Sequence, residues 1–357
     1  MEFIKPGIDL DFVGKRYIAI TCSLILILVG IISLVIHHGP KFGIDFKGGT
    51  IVQVKFKQPV AIDKIKNGLE TIRLKGSAVQ QFGDASHHEY LIRTNQALTN
   101  DENFKEEVSS AISKSTGAKV DIRRIEMVGP KVGQTLREKA LFALFYALLF
   151  ITIYISGRFE QKWMVSAVMA GLLIGVVYFF SLFSVSIPLL IAVALLVSLL
   201  LFWQLRLKFA MGAIVALIHD VTITVGIFSL LGKEFTLPII AALLTIVGYS
   251  LNDTIIVFDR IRENTNRYSR RPLDVNINRS INETLSRTIL TSATTLVVLI
   301  CLFFLGGDII HDFSFALIIG IVVGTYSSVY VASPVLLFLE GTSTGAAPEK
   351  AGAVAST

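Results

Sequence analysis

Long, uninterrupted apolar stretches are the feature that most constrains this chain. Hydrophobic residues fill 53% of its 357 positions, and a helix needs about 20 predominantly apolar residues to cross a bilayer. The sequence therefore predicts a polytopic α-helical membrane protein. By this length criterion it has about eight transmembrane helices, near residues 17–37, 138–156, 163–183, 187–205, 209–231, 236–258, 288–305 and 313–339.

The positions of lysine and arginine predict the orientation of these helices. With the N-terminus in the cytoplasm, every strongly basic connection falls inside, and the short outer loops carry only Lys233. The basic connections are Lys15-Arg16, Arg158/Lys162, Arg206/Lys208 and the stretch 259–287. This arrangement follows the positive-inside rule and places both termini of a multi-pass protein in the cytoplasm. It also accounts for the net charge of +6 without nucleic-acid binding.

Residues 38–137 form the single extracytoplasmic domain in this scheme. Alternating apolar residues predict strands at 50–56, 78–82, 89–93 and 120–128, whereas helical spacing predicts helices at 61–73 and 101–115. The order βαββαβ is typical of a ferredoxin-like α/β sandwich.

The remaining boundaries follow from the polar segments. Within the cytoplasmic segment 259–287, Ile277, Ile281 and Leu285 recur at steps of four, which predicts an amphipathic helix on the membrane surface. The tail 341–357 is small and polar and is expected to be disordered. Residues 1–37 hold the N-terminal segment and first helix, and 138–156 the second.

One carboxylate lies where the bilayer makes it costly. Asp253 interrupts an apolar run, and an ionised Asp near the bilayer centre costs about 2.5–3.5 kcal/mol. Helical spacing places Thr245, Gly248, Tyr249 and Asn252 on the same face. Arg287 opens the next apolar run, followed by Thr291, Thr294 and Thr295. Asp253 and Arg287 both lie toward the cytoplasmic side, so we expect them to meet.

Such a pair allows two interpretations. An Asp held by an Arg stays ionised, and an Asp separated from it in low dielectric takes up a proton. A conformational change that makes and breaks the pair would then bind and release protons, whereas a permanent pair would only fix helix packing. His219 and Asp220, on the fifth predicted helix, either join the polar interior or are satisfied core groups.

Other chemistry is not expected. The sequence has no GxxxxGK[ST] phosphate-binding loop, so nucleotide hydrolysis is not predicted, and protons are the only coupling ion that the pattern indicates. Cys22 and Cys301 lie inside apolar runs, which predicts neither a disulfide nor a metal site. The chain is therefore not expected to be an enzyme.

Five motifs, in this order, are similar to those of SecF proteins, the smaller half of the SecDF protein-export complex. They are FGIDFKGGT (42–50), VGPKVG (128–133), ALIHDV (216–221), GYSLNDTIIVFDRIREN (248–264) and SRTILTS (286–292). The resemblance implies membership of the resistance–nodulation–division superfamily and a location in the cell inner membrane. It implies SecD, the SecYEG channel, YajC, preproteins and the lipid bilayer as partners, and use of proton motive force. It also implies Asp253 and Arg287 as a proton relay. From the spacing of the residues themselves, we expect a supporting polar face of Tyr249, Asn252, Thr291, Thr295, His219 and Asp220.

The sequence departs from that family at one place. SecF proteins usually have six spans, whereas here the loop Arg158–Lys162 enters two additional apolar runs. We therefore expect 157–208 to be an inserted two-helix hairpin and 209–340 to be the core bundle. Two alternatives stay open: a proton-driven exporter of small molecules or lipids from the same superfamily, and a translocon scaffold that conducts no protons.

Overall fold

A run of long helices dominates the structure. The computed structural model describes residues 9–72, 74, 76–83, 87–94, 102–160 and 187–341, with 164, 167–168, 171–172, 174–175 and 178–179 between them. The helices outside the sheet-bearing segment are α1 Arg16–Ile36, α5 Pro130–Glu160, α6 Ile187–Gln204, α7 Lys208–Leu230, α8 Leu237–Arg267, α9 Leu273–Leu305, α10 Gly307–Ser327 and α11 Ser333–Gly341. A π-helical turn, Ser328–Ala332, joins α10 to α11.

Six helical stretches of the described residues are long and apolar enough to cross a membrane. They are Arg16–Ile36, Pro130–Phe159, Lys208–Leu230, Leu237–Arg267, Leu273–Leu305 and Ile310–Glu340. The predicted span 187–205 coincides with helix α6, of which Leu195–Gln204 counts as a shorter apolar helix. The predicted span 163–183 lies largely outside the described residues. The structure thus shows a helical membrane protein with six candidate spans.

A small sheet domain follows α1. Its elements are α2 Ile44–Lys47, β1 Gly49–Phe56, α3 Ile62–Thr71, β2 Ala78–Phe82, β3 Glu89–Thr94, α4 Glu102–Thr116 and β4 Val120–Val128. The strands form an antiparallel sheet in the order β2-β3-β1-β4. Val52, Val54 and Phe56 alternate along β1 and are at most 2% exposed, so one face of the sheet buries its apolar side chains against α3 and α4.

Two predicted boundaries differ from the structure. Helix α5 begins at Pro130, inside the segment 38–137 assigned to the outer domain, because proline suits the first turn of a helix. The prediction of a separate surface helix within 259–287 is also wrong, because these residues continue into a longer helix. Helix α9 begins at Leu273 and continues to Leu305. Ile277 and Ile281 are 0% and 2% exposed, since they belong to the core cluster of the protein that also contains Phe258 and Leu251.

The sheet domain is fastened to the start of α8. Phe42 pairs with Phe235 in a parallel bridge, and the backbone N–H of Leu237, the first residue of α8, donates to Asp45 Oδ2 at 2.9 Å. Arg93 of β3 adds a salt bridge to Glu234 at 2.8 Å. A carboxylate at a helix N-terminus satisfies a free N–H and complements the helix dipole. The helix that carries Asp253 is therefore anchored directly to the sheet domain.

Glycines bring the central helices close together. A Cβ on Gly226 of α7 would lie 2.6 Å from Gly30 Cα of α1, and a Cβ on Gly324 of α10 would lie 2.9 Å from Ser250 Cβ of α8. Real Cβ atoms do not approach so closely, so these crossings require glycine. They place the polar side chains of α1, α7, α8 and α10 within hydrogen-bonding distance of one another.

Candidate intramembrane acidic site

Asp253 is fully buried but poorly satisfied. Its side chain is 0% exposed. Ser292 of α9 donates to Asp253 Oδ2 at 3.5 Å, at the limit of a hydrogen bond, and Ser292 also contacts Thr325 of α10 at 2.6 Å. Among the described residues, Asp253 Oδ1 has no hydrogen-bond partner. A buried carboxylate with so few donors is costly to keep ionised.

Arg287 does not neutralise this carboxylate in the structure. The ion pairs of the described residues, counted to 4.0 Å, do not include Asp253 with Arg287. Arg287 lies on α9, the helix that also carries Ser292, but its side chain is exposed at the surface of the chain. The two predicted relay residues are therefore on neighbouring helices and unpaired.

The polar face predicted for α8 is divided between two surroundings. Asp253 points inward, and Tyr249 is half-buried, with its hydroxyl donating to Thr295 Oγ1 at 3.5 Å. Thr245, Gly248 and Asn252 are exposed, as are Arg287 and Thr294 on α9, whereas Thr291 is half-buried. We call the five exposed positions Thr245, Gly248, Asn252, Arg287 and Thr294 the polar stripe. It lies on the apolar, span-forming part of both helices.

His219 and Asp220 form a second buried acidic group, and this one is saturated with hydrogen bonds. Asp220 is 0% exposed and His219 4% exposed. Asp220 Oδ1 lies 2.8 Å from His219 Nδ1, and Oδ2 accepts from Ser327 at 2.8 Å and from Ser250. His219 Nε2 lies 2.9 Å from Ser23 Oγ of α1. The structure thus brings this pair into contact with α1, α8 and α10.

Sequence reasoning missed the serines that contact each of the two acids. Ser250 bonds Asp220 and lies one helical turn before Asp253 on α8. On α10, Thr325 contacts Ser292 beside Asp253, and Ser327 donates to Asp220. The hydroxyl-rich run Gly324–Ser328 in an otherwise apolar stretch was the available signal, because hydroxyls bond across helices in membranes.

The buried carboxylates and the histidine of this arrangement are groups that can bind protons. No cluster of three or more His, Cys, Asp or Glu side chains able to hold a metal ion occurs within the described ranges. The two buried carboxylates lie in two hydrogen-bonded groups: Asp220 with His219, Ser250 and Ser327, and Asp253 with Ser292 and Thr325. Ionisable groups inside a membrane bundle are characteristic of proton and ion pathways.

The fold and these buried acids define a multi-pass, α-helical transport protein. The family described as "Protein export membrane protein SecD/SecF, C-terminal" matches residues 108–199 and 185–342, and the "SecD/SecF GG Motif" matches residues 33–60. The chain belongs to the SecD/SecF family of protein-export membrane proteins, and its similar relatives are SecF subunits. It is a transport protein of the cytoplasmic membrane, not an enzyme.

Similar proteins cover nearly the whole chain. The chain is 41% identical to the protein translocase subunit SecF of Desulfurispirillum indicum, covering 92% of this chain and 91% of that protein. It is 41% identical to the corresponding subunit of Magnetococcus marinus, covering 95% of each. The crystal structure of SecDF, a translocon-associated membrane protein from Thermus thermophilus, superposes with a TM-score of 0.67 at 32% identity. That match covers 94% of this chain and 39% of the longer SecDF chain.

Proposed function

We propose that this chain uses proton motive force to assist protein export, with Asp253 as the residue that takes up and releases the proton. The observation that supports this most is the state of Asp253: 0% exposed, with one oxygen unpartnered among the described residues and no salt bridge. Low dielectric without a salt bridge favours the neutral carboxylic acid. The structure then corresponds to a proton-loaded state of the site.

Arg287 is the group that would return Asp253 to the ionised form. A guanidinium is always charged, and its approach stabilises a carboxylate. Arg287 lies five residues before Ser292 on α9, so a rotation of α9 relative to α8 would replace the Ser292 contact with an Arg287 contact. Proton uptake and release would thus follow a helix movement. Each charge moved through about 100 mV supplies roughly 2.3 kcal/mol.

The polar stripe indicates where the partner binds. An arginine or asparagine facing lipid at membrane depth is unfavourable, and small residues allow close helix approach. We infer that SecD covers Thr245, Gly248, Asn252, Arg287 and Thr294. The similar SecDF chain is more than twice as long as the part that this chain matches, which is consistent with a second half. SecYEG, YajC and translocating preproteins are the further partners that this function would use.

The structure also bears on the scaffold alternative. A purely structural role requires a standing Asp253–Arg287 ion pair, since an unpaired buried carboxylate adds cost and no cohesion. The unpaired arrangement therefore favours the proton relay.

The proposed architecture adds two membrane spans to the six candidate spans of the described residues. Residues 157–208 would add a hairpin of two spans, for a total of about eight, and an even number of extra spans preserves the orientation of everything downstream. The position of basic residues supports cytoplasmic termini. The element order βαββαβ and the strand order of the sheet domain support a ferredoxin-like domain outside the membrane.

The test is to replace Asp253 by Asn and Arg287 by Met separately, in the full chain with its partner. Each change removes one ionisable group of the relay and keeps a similar side-chain volume. Both variants should assemble and yet lose most of the proton-motive-force stimulation of export and the accompanying proton flux. Stimulation is measured as translocated preprotein in membrane vesicles, and flux with a pH-sensitive dye.

Matched controls come from the same part of the chain. Asp259 lies on the same helix but is 38% exposed and pairs with Arg158 at 2.8 Å, and Arg270 is exposed. Asp259→Asn and Arg270→Met should keep stimulation and flux close to those of the native protein. Normal export and flux in assembled Asp253→Asn and Arg287→Met complexes would refute the relay and support the scaffold.

A further inference from the structure

The residues just before α1 lie across the first turns of α9, where two asparagine side chains bind their backbone. The N–H of Leu10 donates to Asn282 Oδ1 at 2.9 Å, and its carbonyl oxygen accepts from Asn282 Nδ2 at 2.9 Å and from Asn278 Nδ2 at 3.0 Å. Asn278 Oδ1 accepts from the N–H groups of Phe12 at 2.9 Å and Val13 at 3.3 Å. A side-chain amide offers one acceptor oxygen and two N–H donors, so these two amides bind both the N–H and the C=O groups of the segment.

The apolar side chains of the same segment are packed into the bundle. We call residues 9–14 the N-terminal strap. Val13 is 6% exposed and belongs to the same core cluster as Ile277 of α9. Phe12 packs against that cluster, and its ring meets the Tyr330 ring of the π-helical turn edge-on, with the centroids 5.8 Å apart. The strap therefore joins α9 to the π-helical turn.

The strap also connects α9 to the start of α1. Arg16, the first residue of α1, donates to the Val13 carbonyl oxygen at 2.9 Å. Helix α1 is in turn fastened to α10, where the Tyr326 hydroxyl donates to the Ala19 carbonyl oxygen at 2.7 Å. A movement of α9 relative to α1 and α10 is therefore resisted by the strap.

Rotation of α9 is the movement that the proposed relay requires. Ser292 now contacts Asp253 at 3.5 Å, and Arg287 would have to take its place. The side chains of one rigid helix turn together, with successive residues about 100° apart around the axis. A rotation that brings Arg287 toward Asp253 therefore carries Asn278 and Asn282 away from the strap. Their hydrogen bonds to the strap hold α9 in its present orientation.

We propose that the N-terminal strap is a conformational lock on α9, which must release Asn278 and Asn282 before Arg287 can reach Asp253. The inference rests on the proposed function for its role in transport, but binding and release of the strap are measurable without transport. The hydrogen bonds to Leu10 lie at the exposed surface, where water can replace them. Release of the strap therefore costs far less than unfolding a helix.

Hydrogen exchange of the strap amides tests whether the asparagines bind it. The protein is the full chain with its partner in lipid vesicles. Asn278→Ala combined with Asn282→Ala removes the side-chain acceptors of the strap, so its amides should exchange faster by about tenfold or more. Asn266→Ala is the control, because Asn266 is exposed and lies on α8, and it should leave strap exchange unchanged. Equal exchange in the native chain and the double variant would overturn the proposal.

Release of the strap is tested in the same vesicles by applying a proton motive force during export. Exchange of the strap amides should become several-fold faster, and it should return to its resting rate when an uncoupler removes the force. The amides of the central strand β1 provide an internal reference that should not change. Strap exchange that is the same with and without the force would contradict the lock.

A disulfide between the strap and α9 tests whether release is needed. Leu10→Cys and Asn282→Cys are combined in a chain whose free thiols, Cys22 and Cys301, are replaced by Ala. The oxidised protein should lose most of its stimulation of export by the proton motive force and regain it after reduction, so each sample is its own control. Equal stimulation in both states, or failure of the disulfide to form, would overturn the proposal. If Asp253→Asn exports normally while the strap still opens with the force, only the relay fails.

Discussion

The two buried aspartates differ in how completely their oxygens are hydrogen-bonded. Both are 0% exposed. Asp220 has His219 on one oxygen and two serines on the other, whereas Asp253 has one contact at 3.5 Å and an unpartnered oxygen in the described part of the chain. Burial alone therefore does not define a relay residue. A satisfied acid holds its neighbours in place, and an unsatisfied acid gains most from a change of protonation or of partner.

The largest effect that tests this difference is expected at Asp220. Asp220→Ala should lower the free energy of unfolding by about 3 kcal/mol, because it leaves His219, Ser250 and Ser327 without their buried partner. Denaturant unfolding of the purified chain in detergent measures this loss. A loss below about 1 kcal/mol would show that the network around Asp220 is not cohesive.

A second comparison uses two glycines. Gly324 of α10 packs against the buried side of α8, and Gly248 lies on the exposed side of α8. Gly324→Val should destabilise the chain by about 2 kcal/mol, because the new Cβ would lie 2.9 Å from Ser250 Cβ. Gly248→Val has nothing within 4 Å of its new Cβ, so the chain itself should stay as stable. It should instead reduce co-purification of the partner that covers the polar stripe. Equal partner binding in Gly248→Val would place the interface elsewhere.

Asp253→Asn should change stability far less than Asp220→Ala. Removing an unsatisfied buried carboxylate costs little, so we expect a change within about 1 kcal/mol of the native free energy of unfolding, in either direction. The same unfolding measurement applies. A loss as large as that of Asp220→Ala would mean that Asp253 has hydrogen bonds as strong as those of Asp220.

The smallest effect is expected in the sheet domain, far from both acids. Burial raises the pKa of Glu89, but hydrogen bonds from Lys55 and Gln53 outweigh it and hold the pKa below its ordinary value of 4.5. An acid with a lowered pKa stabilises the fold above its unfolded pKa, and this stabilisation disappears as the pH falls through the folded value. Glu89→Gln should therefore cost about 0.5 kcal/mol at neutral pH and nothing below the folded pKa.

Much of the fold could be predicted from hydropathy and periodicity. The spans bearing His219, Asp253 and Arg287, and the order of strands and helices in the sheet domain, follow from patterns local to each segment. The segment around Ile277 and Ile281 was misjudged because an apolar stripe does not reveal whether lipid or protein covers it. In the structure the core cluster of the bundle covers it.

The site could be predicted only in part. Asp253 and Asp220 were identifiable because carboxylates are rare in apolar runs. Their contacts were not, because Ser23, Ser250, Ser292 and Ser327 reach His219 and the two acids from helices that are distant in sequence. The expected meeting of Asp253 and Arg287 rested on depth in the membrane, which does not determine helix rotation.

Infrared difference spectroscopy of Asp253 tests the central claim most directly. The carbonyl band of a protonated carboxylic acid, assigned by its loss in Asp253→Asn, should appear and disappear in the assembled complex as a proton motive force is applied and removed during export. A carboxylate that stays ionised and paired with Arg287 under every condition would contradict the account.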